Sequence, residues 1–383
     1  MGYVLYYVLV FSIIPTALYI SCKKGGIKCF NTVEHLQKNK NSLSLIIGIL
    51  IYSVLLGVTY DTGVDYHFYH DFYKSEVRGV FDLWGSGREF GYRTLVSFLA
   101  DIFDSHVAFF MLCAFLNAFV WVKVCRMYGA AASCIMIFWY AYMFQLSLNL
   151  YRQYIAMALL MFAYYVYFTN DSTQIKSVLK KYIVVVLLLT LAFLFHTSSL
   201  IGVFLIAACY YLKGIKINKW YVIFLIIITT VSSRTLLSVF FNSMNSIVMM
   251  SQSVTGKTYE FEGMLDSQWN ESRMLYMVML IHIIYVWYAD KIFKNNNHLK
   301  FLYATMCLTF IIMPLTNQEI MLRIRIYLMN IVTISVGVMI YYYWGYKKAS
   351  HSSILLWAFT TDILYFLYQL YGLGEEFPLQ FKV

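Results

Sequence analysis

Long apolar runs alternate along the chain with short polar stretches, at residues 3–22, 43–60, 105–125, 131–148, 152–169, 182–196, 198–212, 220–240, 274–290, 300–317, 323–344 and 352–371. A helix needs about 20 mostly apolar residues to cross a hydrocarbon core of roughly 30 Å, so the pattern predicts about twelve transmembrane helices. Two longer segments interrupt the rhythm, 61–105 and 242–273. In the first, Phe68, Tyr69, Phe72, Tyr73, Val77, Val80 and Phe81 recur at helical spacing, with His70, Asp71, Lys74 and Arg78 between them. That is the pattern of an amphipathic helix lying in the membrane interface. After Gly85-Ser86-Gly87, the positions Tyr92, Leu95, Val96, Leu99, Ile102 and Phe103 predict a second such helix, opened by Glu89 in its first turn. Together the two are expected to roof one mouth of the bundle. No internal repeat and no Gly/Ser- or Pro-rich linker divides the series, so residues 1–383 read as one membrane domain.

Composition agrees with this reading, since 61% of residues are apolar and only 13% charged, which excludes a soluble globule. The formal charge of +10 would raise the question of nucleic acid in a soluble protein. Its distribution answers that question. If the first loop, with Lys23, Lys24, Lys28, Lys38 and Lys40, is cytoplasmic, alternation places 17 of the 20 Lys inside with one Arg and three acids. This is the positive-inside asymmetry, so the basicity reports orientation and no nucleic acid is expected. Both termini are then extracytoplasmic, as are the segments 61–105 and 242–273. The first residues lack the basic start of a secretory signal, so the first span is expected to be retained. The seven Cys fall in spans or inner loops without a CxxC pair, and neither a disulfide nor a zinc site is expected.

Lysine and arginine are sorted by side, with 8 of the 9 Arg outside. Charge alone does not require this. Guanidinium makes planar bidentate bonds to phosphate or carboxylate and is less strongly hydrated than ammonium, which suits fixed anion contacts at a half-dry surface. Arg152, Arg273, Arg323 and Arg325 begin odd-numbered spans on the outer side, at helix N-termini where a cation is disfavoured by roughly 0.3–1 kcal/mol. An anion held there reverses the sign. Snorkelling to lipid phosphates is the plainer reading of each arginine taken singly. Arg323 and Arg325 point about 200° apart on a regular helix, unless Pro314 and Thr316-Asn317-Gln318-Glu319 break it and let both turn inward.

Asp61, Asp65, Glu89 and Glu319 are the outer carboxylates nearest span ends, each either a general base or a loop acid or cap. His196 precedes Thr197-Ser198-Ser199, a ready N-cap, and reads as a base, a phosphate donor or an interface histidine. His67, His70 and Asp71 have i, i+3, i+4 spacing, but three ligands on one loop helix make a weak metal pattern. Asp362 lies in mid-span, where a functional acid and a protonated, hydrogen-bonded one are both open.

Four stretches then carry a resemblance: DTGVDYHFYHDFY from Asp61, REFGYRTLVSFLADIF from Arg88, NLYRQYIAMALLMFAYYVYF from Asn149 and LFHTSSLIGVF from Leu194. In order and spacing they resemble the EpsG-like family of exopolysaccharide polymerases, related in function to the Wzy polymerases of O-antigen and capsule. They cover about 60 residues of the first 205; the second half is similar only in hydropathy. Phe90 stands where the family usually has proline after the acid. The resemblance implies a polytopic all-α bundle of the glycosyltransferase C type in the bacterial cytoplasmic (inner) membrane. It implies polymerisation of undecaprenyl-diphosphate-linked oligosaccharide at the outer face, with inversion and without a metal or other cofactor. Asp65, Glu89 and His196 are then the catalytic candidates, and Tyr69, Arg88, Arg152 and Gln153 the substrate-binding ones. Arg323 and Arg325 join the latter on polarity alone. A chain-length regulator and a flippase of the same pathway are the expected partners. The rival readings are a lipid-linked oligosaccharide flippase, favoured by the span count and Asp362, and another transferase of the same membrane.

Overall fold

The computed structural model describes residues 2–22, 43–60, 65–77, 89–169, 175–233, 235–236, 273–293, 297–315, 319–346, 353–372 and 380–381. Helices dominate: α1 (Gly2–Cys22), α2 (Leu43–Gly57), α3 (Tyr66–Val77), α4 (Phe90–Ala100), α5 (Val107–Arg126), α6 (Ala132–Asn149) and α7 (Tyr151–Thr169) come first. They are followed by α8 (Ile175–Phe195), α9 (Ser199–Leu212), α10 (Lys219–Val231), α11 (Arg273–Ala289), α12 (Asn297–Ile312), α13 (Glu319–Tyr341) and α14 (Ser353–Gly372). Every apolar run of the sequence overlaps one of these helices, though α10 ends at Val231 and residues 237–240 of its run lie outside the described residues, and α3 and α4 are the two left over. Among the described residues four stretches are long and apolar enough to cross a membrane: Val107–Arg126, Val178–Phe195, Asn297–Leu315 and Arg325–Trp344. Several of the others are shorter; α10, with 13 residues, rises only ~20 Å. The chain is a helical membrane protein.

Burial follows from the solvent each helix meets. The outward sides of α8 and α10 expose Leu179, Val186, Leu187, Tyr221 and Phe224, a surface stable only against lipid. Hydrocarbon leaves no water to satisfy polar groups, so buried hydroxyls bond their own helix. Thr305 Oγ1 donates to the Phe301 carbonyl at 2.9 Å and Thr230 Oγ1 to that of Ile226 at 2.7 Å.

The helices form two compact units. The first comprises Met1–Leu205, Thr333–Ser352 and Thr360–Val383. In it α1 packs on α2 and α6, α2 on α5, α5 on α7, and α7 on α8. At Gly337 a Cβ would lie 2.5 Å from Ile135 Cα, so only glycine permits that approach of α13 to α6. A two-residue antiparallel ladder pairs β1 (Thr59–Tyr60) with β2 (Gln380–Phe381), bringing the chain's last described residues to the exit of α2.

Helices α3 and α4 pack against each other, and α4 also against α5 and the end of α8. Their inner faces, Tyr66, Tyr69, Phe72 and Tyr73 on α3 and Tyr92, Val96 and Leu99 on α4, close over Phe109 and Phe110 of α5 and Tyr151 of α7. The amphipathic pattern is thus realised, with two differences. Val80 and Phe81, predicted to extend the first helix, lie outside the described residues. The second stops at Ala100, leaving Ile102 and Phe103 exposed, because the Phe103 carbonyl turns back to accept the Tyr73 hydroxyl at 2.7 Å.

The second unit comprises Ile206–Val332 and Ser353–Phe359. Here α10 packs on α11 and α12. The His282 ring of α11 stacks on Phe310 of α12 with centroids 3.9 Å apart.

Candidate functional site

Glu89 stands at the mouth of α4 with extended backbone (φ −63°, ψ 136°) and makes no capping bond to its own helix. Its carboxylate is therefore free to turn away, and it meets two other elements. Oε2 accepts from Arg152 Nη1 at 2.5 Å, and Oε1 pairs with His196 Nδ1 at 2.8 Å. Both partners sit where helices begin or end. Arg152 is the second residue of α7, which follows the single-residue connection Leu150, and His196 follows the last residue of α8.

Glycine creates the approach. A Cβ at Gly91 would sit 3.0 Å from the Leu194 carbonyl carbon and oxygen and 3.1 Å from the Phe195 ring. With hydrogen there instead, the first turn of α4 seats directly on the end of α8 and Glu89 reaches His196. Phe90, where proline is usual, starts the helix as its first residue and is exposed.

Arg152 is clamped by rings. Its Cζ lies 5.5 Å from the Phe68 centroid and 5.6 Å from that of Tyr92, cation–π distances that hold the guanidinium plane. The Tyr69 hydroxyl faces it, and the Tyr69 ring packs edge-on against Tyr92 and Tyr151. The Arg152 Nε is buried and makes no hydrogen bond among the described residues, so donor capacity remains.

The electrostatics follow from burial against charge. Burial pushes the Glu89 carboxyl up, but the His196 hydrogen bond and the Arg152 charge together outweigh it and hold the group at about 2. Glu89 is thus a carboxylate at any working pH and can only accept. His196 Nδ1 must then carry the proton on that side, which leaves Nε2 with a lone pair when the ring is neutral. Burial raises the Tyr69 phenol, with Arg152 pulling the other way.

Four of the residues singled out from the sequence, Tyr69, Glu89, Arg152 and His196, therefore share one site. Asp65 is half-buried at the start of α3, where its backbone carbonyl accepts the Tyr69 amide and its charge acts on the Tyr69 phenol. Gln153 is buried one position, about 100°, round α7 from Arg152. Arg88 lies outside the described residues, as does the Arg323 side chain. Arg323 and Arg325 both belong to the continuous helix α13, which begins at Glu319. Arg325 belongs to the second unit, where its charge acts on His282.

Among the described residues no group of three or more His, Cys, Asp or Glu is placed to hold a metal. His70 turns inward, its ring 4.4 Å from that of His106, while the Asp71 side chain is 72% exposed. Asp362 of α14 is buried and accepts a hydrogen bond from the Tyr142 hydroxyl of α6. Sequence reading treated Phe68 and Tyr92 only as apolar helix positions and gave Gly91 no role. The sequence Glu89-Phe90-Gly91-Tyr92, within the second of the four stretches, is the signal that points to both.

A family model described as the EpsG family matches residues 42–381. No curated protein and no solved structure matches the chain.

Proposed function

From the premise that the chain belongs to the EpsG family, whose membership carries a polysaccharide-polymerase role in general terms, we propose a membrane glycosyltransferase that polymerises bacterial surface polysaccharide. The reading takes the twelve apolar helices as crossings of the cytoplasmic membrane, with α3 and α4 on the outer face. Its substrate is a lipid-diphosphate-linked oligosaccharide, undecaprenyl diphosphate being the expected carrier. The observation that supports it best is Glu89 joining Arg152 to His196 beneath the aromatic faces of α3 and α4.

Each group has a part. Glu89 is a positioning residue that fixes the His196 tautomer. Nε2 of His196 takes the proton of a terminal sugar hydroxyl as the hydroxyl oxygen bonds to the anomeric carbon of the second glycan. The bond from that carbon to the diphosphate oxygen breaks with inversion, and the electron pair leaves on the diphosphate. Arg152, beside the Phe68 and Tyr92 rings, stabilises that charge with donors that Glu89 does not take. This assigns Glu89 to orientation and His196 to proton transfer.

Surface glycan from a deletion strain, separated on a gel, tests the reading. Single repeat units on the lipid core without a ladder are expected. Loss of the single units as well would favour the flippase. Complementation by His196→Ala is expected to leave the ladder absent with the protein still in the membrane.

A further inference from the structure

A cavity of about 300 Å³ opens in the second unit, where the loop from α9 to α10 meets the neighbouring ends of α11 and α12. Three lysines line it, Lys213 and Lys216 from the loop and Lys300 from α12, together with Ile215, Ile217 and Phe293. Among the described residues no carboxylate lines it. The nearby acid is otherwise engaged: Asp290 Oδ2 lies 3.9 Å from Lys219 Nζ, and Asp290 Oδ1 accepts the hydroxyl of Tyr303, a cavity-lining residue, at 3.3 Å. Lys213 Nζ rests 3.2 Å from the Tyr210 ring centroid, a contact that orients the ammonium without neutralising it.

The positive-inside rule accounts for lysines at this end of the helices, but not for three of them facing one concavity. Like charges gathered round a recess repel, and an anion seated among them relieves the repulsion. The apolar part of the lining says what kind of anion. Beside the cavity, Trp220 and Tyr221 at the start of α10 are 60% and 72% exposed, as aromatic residues are at the headgroup level of a bilayer. We propose that this cavity binds the phosphate of an anionic membrane lipid, with Lys213, Lys216 and Lys300 around the phosphate and Ile215, Ile217 and Phe293 against the glycerol and first methylenes. The site is independent of the chemistry at Glu89.

The test uses full-length protein in phosphatidylcholine nanodiscs titrated with phosphatidylglycerol, with retained lipid read by native mass spectrometry. A lysine near an anionic lipid is worth ~5-fold in affinity, so the triple variant Lys213→Gln/Lys216→Gln/Lys300→Gln is expected to lose ~100-fold. Lys216 is exposed, so Lys216→Glu reads the same effect without disturbing packing and is expected to lose at least ~5-fold. The variant Lys180→Gln/Lys181→Gln, altering lysines on α8 outside the cavity, is expected to retain lipid like the wild type. Equal retention by all variants, or equal loss from both lysine sets, would overturn the proposal. So would saturable, lysine-dependent binding of free glycerol phosphate with no retention of the lipid, which would assign the cavity to a soluble phosphate.

Discussion

At Glu89 one carboxylate serves a guanidinium and an imidazole, and removing any member changes what the others meet. Arg152→Ala is expected to abolish polymer while the protein remains in the membrane. Arg152→Lys is expected to fail as well, because an ammonium keeps the charge but neither the planar fork nor the fit between Phe68 and Tyr92. Ladder formation on glycan gels checks both. Stability carries a separate signature. Folding depresses the Glu89 carboxyl to about 2 from an ordinary 4.5, so the native state holds its proton less readily than the unfolded chain. The stabilisation is complete above about pH 4.5 and is lost as pH falls through about 2. Thermal melts of purified protein at descending pH are expected to show this loss in the wild type and a flatter profile in Glu89→Gln. Sequence reading reached Tyr69, Glu89, Arg152 and His196 one by one through residue type and motif. It could not reach their meeting, since Glu89 lies 63 residues from Arg152 and 107 from His196, separations that hydropathy does not encode.

Helices were the most legible level, because hydrocarbon imposes its length and polarity on every segment within it. The twelve apolar runs and both amphipathic segments all mark helices, with ends displaced by up to nine residues, as where the run 220–240 gives a helix that ends at Val231. The ends depend on tertiary partners: α4 finishes at Ala100 where the Phe103 carbonyl turns to Tyr73, a bond no local pattern announces. Contacts between elements were illegible for the same reason. Gly91 looks like an ordinary turn glycine until α8 is laid against it. Gly91→Ala drives a methyl to 3.0 Å from the Leu194 carbonyl and is expected to cost ~1–3 kcal/mol of stability. It should also lower polymer output with every polar group of the site intact, a combination that melting curves and glycan gels from the same preparations will reveal. Gly337→Ala, with a 2.5 Å approach to Ile135 Cα, is expected to reduce accumulation more severely, as quantified by immunoblot of membranes.

For the whole molecule, the distribution of lysine and arginine makes a directional claim that labelling can check. Lys257→Cys is expected to react with an impermeant maleimide in intact spheroplasts, and Lys38→Cys only after permeabilisation. Cys29 and Cys134 are replaced by Ser beforehand to lower background; Cys22, Cys113, Cys125, Cys209 and Cys307 are buried. Identical labelling of the two positions would remove the orientation on which the outer-face assignment rests. The resting state of the site also bears on traffic at the membrane surface. A guanidinium already matched by Glu89 does not collect whatever anion drifts past. A headgroup with a single phosphodiester meets an incumbent of equal charge; only a guest bringing more negative charge displaces it. The Glu89 site can therefore sit idle in a sea of phospholipid without being occupied by it.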